Sequence, residues 1–223
     1  MSIIQKPTLT FLKNLEKNNN RPWFQKNKET YEVAHTNAKE FMVALVDGMN
    51  KIDKIEKSKM FRIYRDVRFS KDKTPYNPAF RMSLGREKPY LRGGYYLSIG
   101  PKEGYVAGGF FNPNPHDLKL IRENIAIDAK PFRKLFKAKK FVDTFGGIYG
   151  DSVKSAPKGF DKEHPDIDLI RLKQHLVSKR YPIKEVTDSS FVKTVVKDFK
   201  VMRPWFDFMS EVLGHNLNGE ALY

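Results

Sequence analysis

YYLSIGPKEGYVAGGFF, residues 95–111, reads as two strands folded back on each other. Residues 95–99 and 105–111 carry the aromatic and β-branched side chains that strands favour, and GPKEG at 100–104 supplies the turn between them. The hairpin makes at least part of the sheet antiparallel. Gly108 and Gly109 interrupt its second strand, which marks a bulge or a close backbone approach, a bound ligand being one candidate neighbour.

Downstream, Asn114 is placed to cap a helix, with Pro115 at its first position, Asp117 two residues later, and Leu118, Ile121 and Ile125 facing inward. His116 falls in that first turn. Free backbone N–H groups and the helix dipole would suit an anion there, although an ordinary capped helix with a solvent-facing histidine has the same signature. Residues 131–140 form a basic amphipathic helix around Phe132, Leu135 and Phe136. FGGIYG at 145–150 has neither the spacing nor the lysine of a phosphate-binding loop. A polar loop follows, containing Asp161, Glu163, Asp166 and Asp168. Asp166 caps a short helix, 174–181 reads as a strand, and Asp188 or Ser189 caps a helix through Phe191, Val195, Val196 and Phe199. A last helix, 204–213, carries Trp205, Phe208, Met209 and Val212 and stops at Gly214.

Upstream lies the most charged stretch, MFRIYRDVRFSKDKTPYNPAFR at 60–81. As a strand, 61–69 puts Phe61, Ile63, Val67 and Phe69 on one face with Arg65 among them, and Arg62, Tyr64, Asp66 and Arg68 on the other. A guanidinium among core residues requires a carboxylate, carbonyls or an anion, because an unpaired buried charge is costly. SKDKTP at 70–75 is turn chemistry, and 79–84 a further strand. Before it come a helix from Thr8 or Thr10 to Asn19, and a longer one capped by Asn20 that runs to about Asn50 with a break near Glu29. A lysine-rich connection, 51–59, leads into the motif. Helices, then strands, then mixed elements, then helices argue for an α+β fold: a central antiparallel or mixed sheet covered by N-terminal and C-terminal helices. One domain over 1–223 is expected, with a helical part (1–59), a motif-and-hairpin core (60–112) and a mixed part ending in helices (113–223).

The chain has no cysteine, which excludes disulfides, thiolate catalysis and cysteine-based metal sites. Its N-terminus lacks the basic start and apolar run of a signal peptide, and no stretch approaches a membrane span, so a cytoplasmic protein without membrane contact is expected. The five histidines (His35, His116, His164, His175, His215) show no metal-ligand spacing, and the nucleophile-elbow and dinucleotide motifs are missing. No metal or other cofactor is called for. The net charge is +15, and residues 62–92 hold nine Lys/Arg against three Asp/Glu, a candidate surface for anionic metabolites or nucleic acid.

RIYRDVRFSKDKTPY (62–76) resembles the signature of a conserved hypothetical family, domain of unknown function 2461. The likeness extends to PWF (22–24), GYYLSI (94–99), GGFFNP (108–113) and IR (121–122). The resemblance implies a stand-alone protein of this length and supplies no catalytic residues. The matched residues, Arg62, Arg65, Asp66, Arg68, Phe69, Lys73 and Tyr76, are those the charge argument selects.

Three functions compete. In the first, Arg62, Arg68 and Lys73 clamp a phosphate or carboxylate of a small molecule. Arg65 and Asp66 set the geometry, Tyr76 serves as donor or general acid, and His116 with the Gly108–Gly109 backbone completes the site. Asp66 as a base would be weakened by its arginines. This reading expects Arg62, Arg68, Lys73 and Tyr76 to converge in a pocket. In the second, the basic 62–92 surface binds nucleic acid with Tyr64, Tyr90, Tyr95 and Tyr96 as stacking platforms. In the third, the motif is a structural ion network in an interaction module, with Arg65 and Asp66 buried against each other. The first is preferred.

Overall fold

The computed structural model describes residues 3–223. Three helices open the chain: α1 (Lys6–Lys17), α2 (Arg21–Lys26) and α3 (Lys28–Met49). Strand β1 (Ile55–Met60), the loop 61–79, and strands β2 (Phe80–Arg86), β3 (Gly94–Ile99) and β4 (Glu103–Phe110) follow. Next are α4 (Pro115–Ile127), α5 (Lys130–Lys137), α6 (Lys139–Phe145), α7 (Ile167–Ile170), β5 (His175–Pro182), α8 (Ile183–Val186) and α9 (Phe191–Gly214). The strands form one antiparallel sheet in the order β1-β2-β3-β4-β5, and the fold is α+β as the hairpin and the order of elements imply. The chain divides into two compact units. The first holds residues up to Leu84 with Tyr96–Val106 and Lys179–Lys197; the second holds Gly85–Tyr95, Ala107–Ser178 and Asp198–Tyr223.

Strict alternation governs β2, β3 and β4, each residue of one face buried and each of the other half-exposed. In the first unit the buried face holds Phe80, Met82, Leu84, Leu97, Ile99 and Val106. Ala34, Ala38, Phe41, Leu45 and Met49 recur at helical spacing along α3 and bury completely or nearly so. Asn37 lies among them with its polar atoms used: it accepts from the Gln5 N–H (3.0 Å) and the Thr8 hydroxyl (2.8 Å) and donates to the Ile3 carbonyl (2.9 Å). Thr8 is therefore a buried partner inside α1, which begins at Lys6 rather than at a threonine cap.

The second unit is aromatic. Trp205 is buried among Phe110, Phe136 and Phe141, and Tyr95 packs on Phe199 and Phe206. Arg86 is the one arginine with a fully buried side chain among the described ion pairs. It meets the Asp207 carboxylate and donates to the Arg92 carbonyl at 2.9 Å.

Two expectations need correction. The strand predicted over 61–69 lies instead at Ile55–Met60, whose IEKSKM alternates no apolar residues. An edge strand needs one ladder of backbone bonds and no buried face, so hydrophobic alternation misplaced it. The two helices predicted at the C-terminal end are one, α9, with Pro204 inside. Phe199, Met202, Trp205, Phe206 and Met209 continue a single buried stripe past the proline, and that burial outweighs the lost backbone bond.

Candidate functional site

The loop 61–79 is closed at its neck and tied across its interior. At the neck Tyr64 and Tyr76 pair as an isolated bridge, the Arg65 N–H donates to the Pro75 carbonyl (2.8 Å), and the Asn77 N–H donates to that of Ile63 (2.7 Å). Asn19, where α1 gives way to α2, clasps the Tyr76 backbone from both sides, accepting its N–H at 3.0 Å and donating to its carbonyl at 2.9 Å. Tyr76 itself is buried and stacked on Phe24, with ring centroids 4.1 Å apart and planes 15° apart.

Asp72 shapes the turn, accepting from the Thr74 N–H (2.9 Å) and hydroxyl (2.8 Å). Arg65 reaches across to Asp72 and the Thr74 hydroxyl and grazes Ser70 Oγ at 3.4 Å. Lys73 Nζ folds back onto the Val67 (3.0 Å) and Arg68 (3.4 Å) carbonyls. Arg68 grips Asp66 in a forked pair, Nε–Oδ1 3.0 Å and Nη2–Oδ2 2.6 Å. The expected Arg65–Asp66 pair therefore does not form. Neighbours on an extended chain project to opposite sides, so each finds its partner further along.

These bonds set the electrostatics. Hydrogen bonds from Arg68 hold the Asp66 carboxyl below the usual carboxylate range, with Arg62 adding to the effect. The Thr74 backbone and the Arg65 guanidinium bring Asp72 down to about 2. Burial, then the nearby Tyr64 phenol, pushes Tyr76 up. Arg62, Lys71 and Arg68 stay exposed, and Phe69 stands at the turn almost bare, 96% accessible. Of the four groups expected to converge, then, Tyr76 is inside, Lys73 is occupied by carbonyls, and Arg62 and Arg68 face solvent.

The other predicted site residues belong to the second unit. A Cβ on Gly108 would sit 2.3 Å from Met202 Sδ, and one on Gly109 (φ +133°) would sit 2.1 Å from the His175 carbonyl oxygen. Packing accounts for both glycines. Asn114 caps α4 as read, accepting the Asp117 N–H at 2.9 Å; His116 is exposed, and the Asp117 carboxylate binds Arg92. Arg86 and Arg92 are thus withdrawn from the basic 62–92 surface, and so is Tyr95, which alternation turns into the core.

Of the stacking tyrosines read from the sequence, Tyr96 stands in a row on the half-exposed face of the first unit's strands, and sequence reading missed its neighbours Lys59, Arg81, Tyr105 and Arg180. Lys59 Nζ and Arg81 Cζ lie 5.3 and 5.5 Å from the Phe61 ring centre; Phe61 is 6.3 Å from Tyr96, and Tyr96 6.3 Å from Tyr105. Arg180 Cζ lies 5.2 Å from the Tyr105 ring and pairs with Glu103. The row runs across strands, and register is what creates it. A cavity of ≈ 370 Å³ in the same unit is lined by Lys6, Thr10, Phe11, Asn14, Trp23, Asn27 and Thr30. In the second unit a cavity of ≈ 280 Å³ is bordered by Arg133 and Asp168, and Arg133 forks to Asp166 and Asp168. Among the described residues no cluster of three or more His, Asp or Glu could hold a metal ion, and no helix is long and apolar enough to cross a membrane.

The family model described as conserved hypothetical protein, DUF2461, matches residues 7–208. No curated protein matches the chain.

Proposed function

The chain belongs to that family, and we propose that it recognises an anionic ligand, bearing phosphate or carboxylate groups, through the outward cations of the loop 61–79. One observation carries the reading. Residues 60–84 hold six cations (Arg62, Arg65, Arg68, Lys71, Lys73, Arg81) against two carboxylates, and Arg65 and Arg68 already occupy both. Arg62 and Lys71 thus add positive charge on a loop whose backbone is braced by Asn19 and Asp72. A preordered loop loses less conformational freedom on binding, which favours affinity. Binding fits the residues better than acid–base chemistry. Asp66 is held ionised and is a weak base, and the Tyr76 phenol is buried with its proton tightly held.

Thermal shift tests the proposal, with pyrophosphate, sugar phosphates and dicarboxylates at low and moderate salt. A binding anion at ~100 times its Kd stabilises the wild type by about 2.7 kcal/mol. The Arg62→Ala/Lys71→Ala protein is expected to lose most of that shift, while Arg65→Ala melts earlier without any ligand. The proposal fails when no anion moves the wild type, or when the shift survives in the double variant.

A further inference from the structure

The row Phe61–Tyr96–Tyr105 crosses neighbouring strands, with a cation beside the ring at each end. Lys59 and Arg81 flank Phe61, and Arg180 flanks Tyr105, held there by Glu103. Tyr96 and Tyr105 lie on the half-exposed face of β3 and β4, the face opposite Leu97 and Val106. Ser83 and Ser98, also half-exposed, add small hydroxyls to that face. Desolvation raises the Tyr96 pKa, so its phenol is neutral. Among the described members of the row Glu103 is the one carboxylate.

Aromatic rings interleaved with guanidinium and ammonium groups match a ligand that alternates flat faces with phosphates. A membrane surface calls for a continuous apolar patch, and here each outer ring is bracketed by charge. A duplex hides its base faces within the stack, whereas an unpaired strand offers them. We propose that this face binds single-stranded nucleic acid, with Phe61, Tyr96 and Tyr105 as base-stacking platforms and Lys59, Arg81 and Arg180 as phosphate contacts. The proposal rests on the anion reading of the loop 61–79, whose first residue is Phe61 and whose Arg62 carbonyl accepts from Arg81 at 3.4 Å. The loop cations hold the backbone, and the rings add a base-dependent part that a bare polyanion does not engage.

Fluorescence anisotropy separates the two parts. The probes are a short oligothymidylate, its abasic counterpart, a duplex of the same length, inorganic polyphosphate and phosphatidylserine vesicles. Wild type is expected to bind oligothymidylate roughly a thousandfold tighter than the abasic strand, since each of the three stacked bases contributes roughly tenfold. Phe61→Leu, Tyr96→Leu and Tyr105→Leu should each erase roughly tenfold of that preference and leave polyphosphate affinity in place. Equal binding of the abasic strand by wild type overturns base stacking and leaves the loop reading standing. So does equal binding of the duplex, or binding of vesicles in place of oligonucleotides. If neither polyphosphate nor oligothymidylate binds, the single-strand proposal falls, and the loop reading is decided separately by the small-anion thermal shifts. The abasic comparison needs no variant, so it decides even where a leucine replacement unfolds the protein.

Discussion

At the scale of single residues, the signature 62–76 owes its composition first to self-bonding. Arg65, Asp72, Thr74 and Lys73 satisfy one another or the loop's own carbonyls, and Asn19 supplies from outside what the Tyr76 backbone lacks. Asn19→Ala leaves a half-buried N–H and carbonyl without those partners. The expected loss is about 2 kcal/mol, read from urea midpoints, with faster proteolysis at Lys71 and Lys73 while the remaining fold persists. The importance of Arg65 was legible from the sequence, because a guanidinium among apolar neighbours demands acceptors. Its partner was not. Asp66 is adjacent in sequence, but Asp72 is the carboxylate that the turn at Thr74 returns to it.

At the scale of elements, strand alternation and helix capping were readable wherever one face is buried. The hairpin β3–β4, the Asn114 cap and the break between α2 and α3 all follow from local chemistry. β1 was not readable in this way, because lysines serve an edge as well as a loop. The two glycines of β4 make a sharp comparison. In Gly109→Ala the new methyl meets the His175 carbonyl at a positive φ, two faults that no side-chain rotation relieves; a loss of about 3 kcal/mol or more is expected. In Gly108→Ala the methyl meets the flexible end of Met202, with the Gly94 carbonyl oxygen next at 3.1 Å, and about 1–2 kcal/mol is expected. Thermal unfolding of the two variants checks the order. Equal losses would mean that Met202 cannot move aside.

At the scale of the whole molecule, one buried imidazole sets the acid limit. His175 is fully buried, neither ring nitrogen has a hydrogen-bond partner among the described residues, and burial, aided by Arg122, lowers its pKa to about 4. Unfolding restores the ordinary imidazole value of 6.5, so between these values the unfolded chain binds the extra proton. The stability that the neutral His175 contributes is therefore complete above pH 6.5 and falls away as the pH drops toward 4, by about 3 kcal/mol at 1.36 kcal/mol per unit. Urea midpoints against pH for wild type and His175→Leu check this, and the variant's curve should be flatter in that window. The composition showed a cationic protein but could not show which cations remain outside, because burying Arg86 and pairing Arg92 are decisions of the tertiary fold. The edge strand β1 carries Lys57 and Lys59 into solvent on a row of open backbone groups. A second copy docking there would bring one chain of net charge +15 against another, with Glu56 the strand's one carboxylate. Salt would then act in two directions at once: it loosens the hold on any polyanion, and it lowers the barrier that keeps neighbouring copies from zipping onto this rim. Concentrated stocks would on this account stay clearest at low ionic strength, the same condition in which nucleic acid would be hardest to wash away.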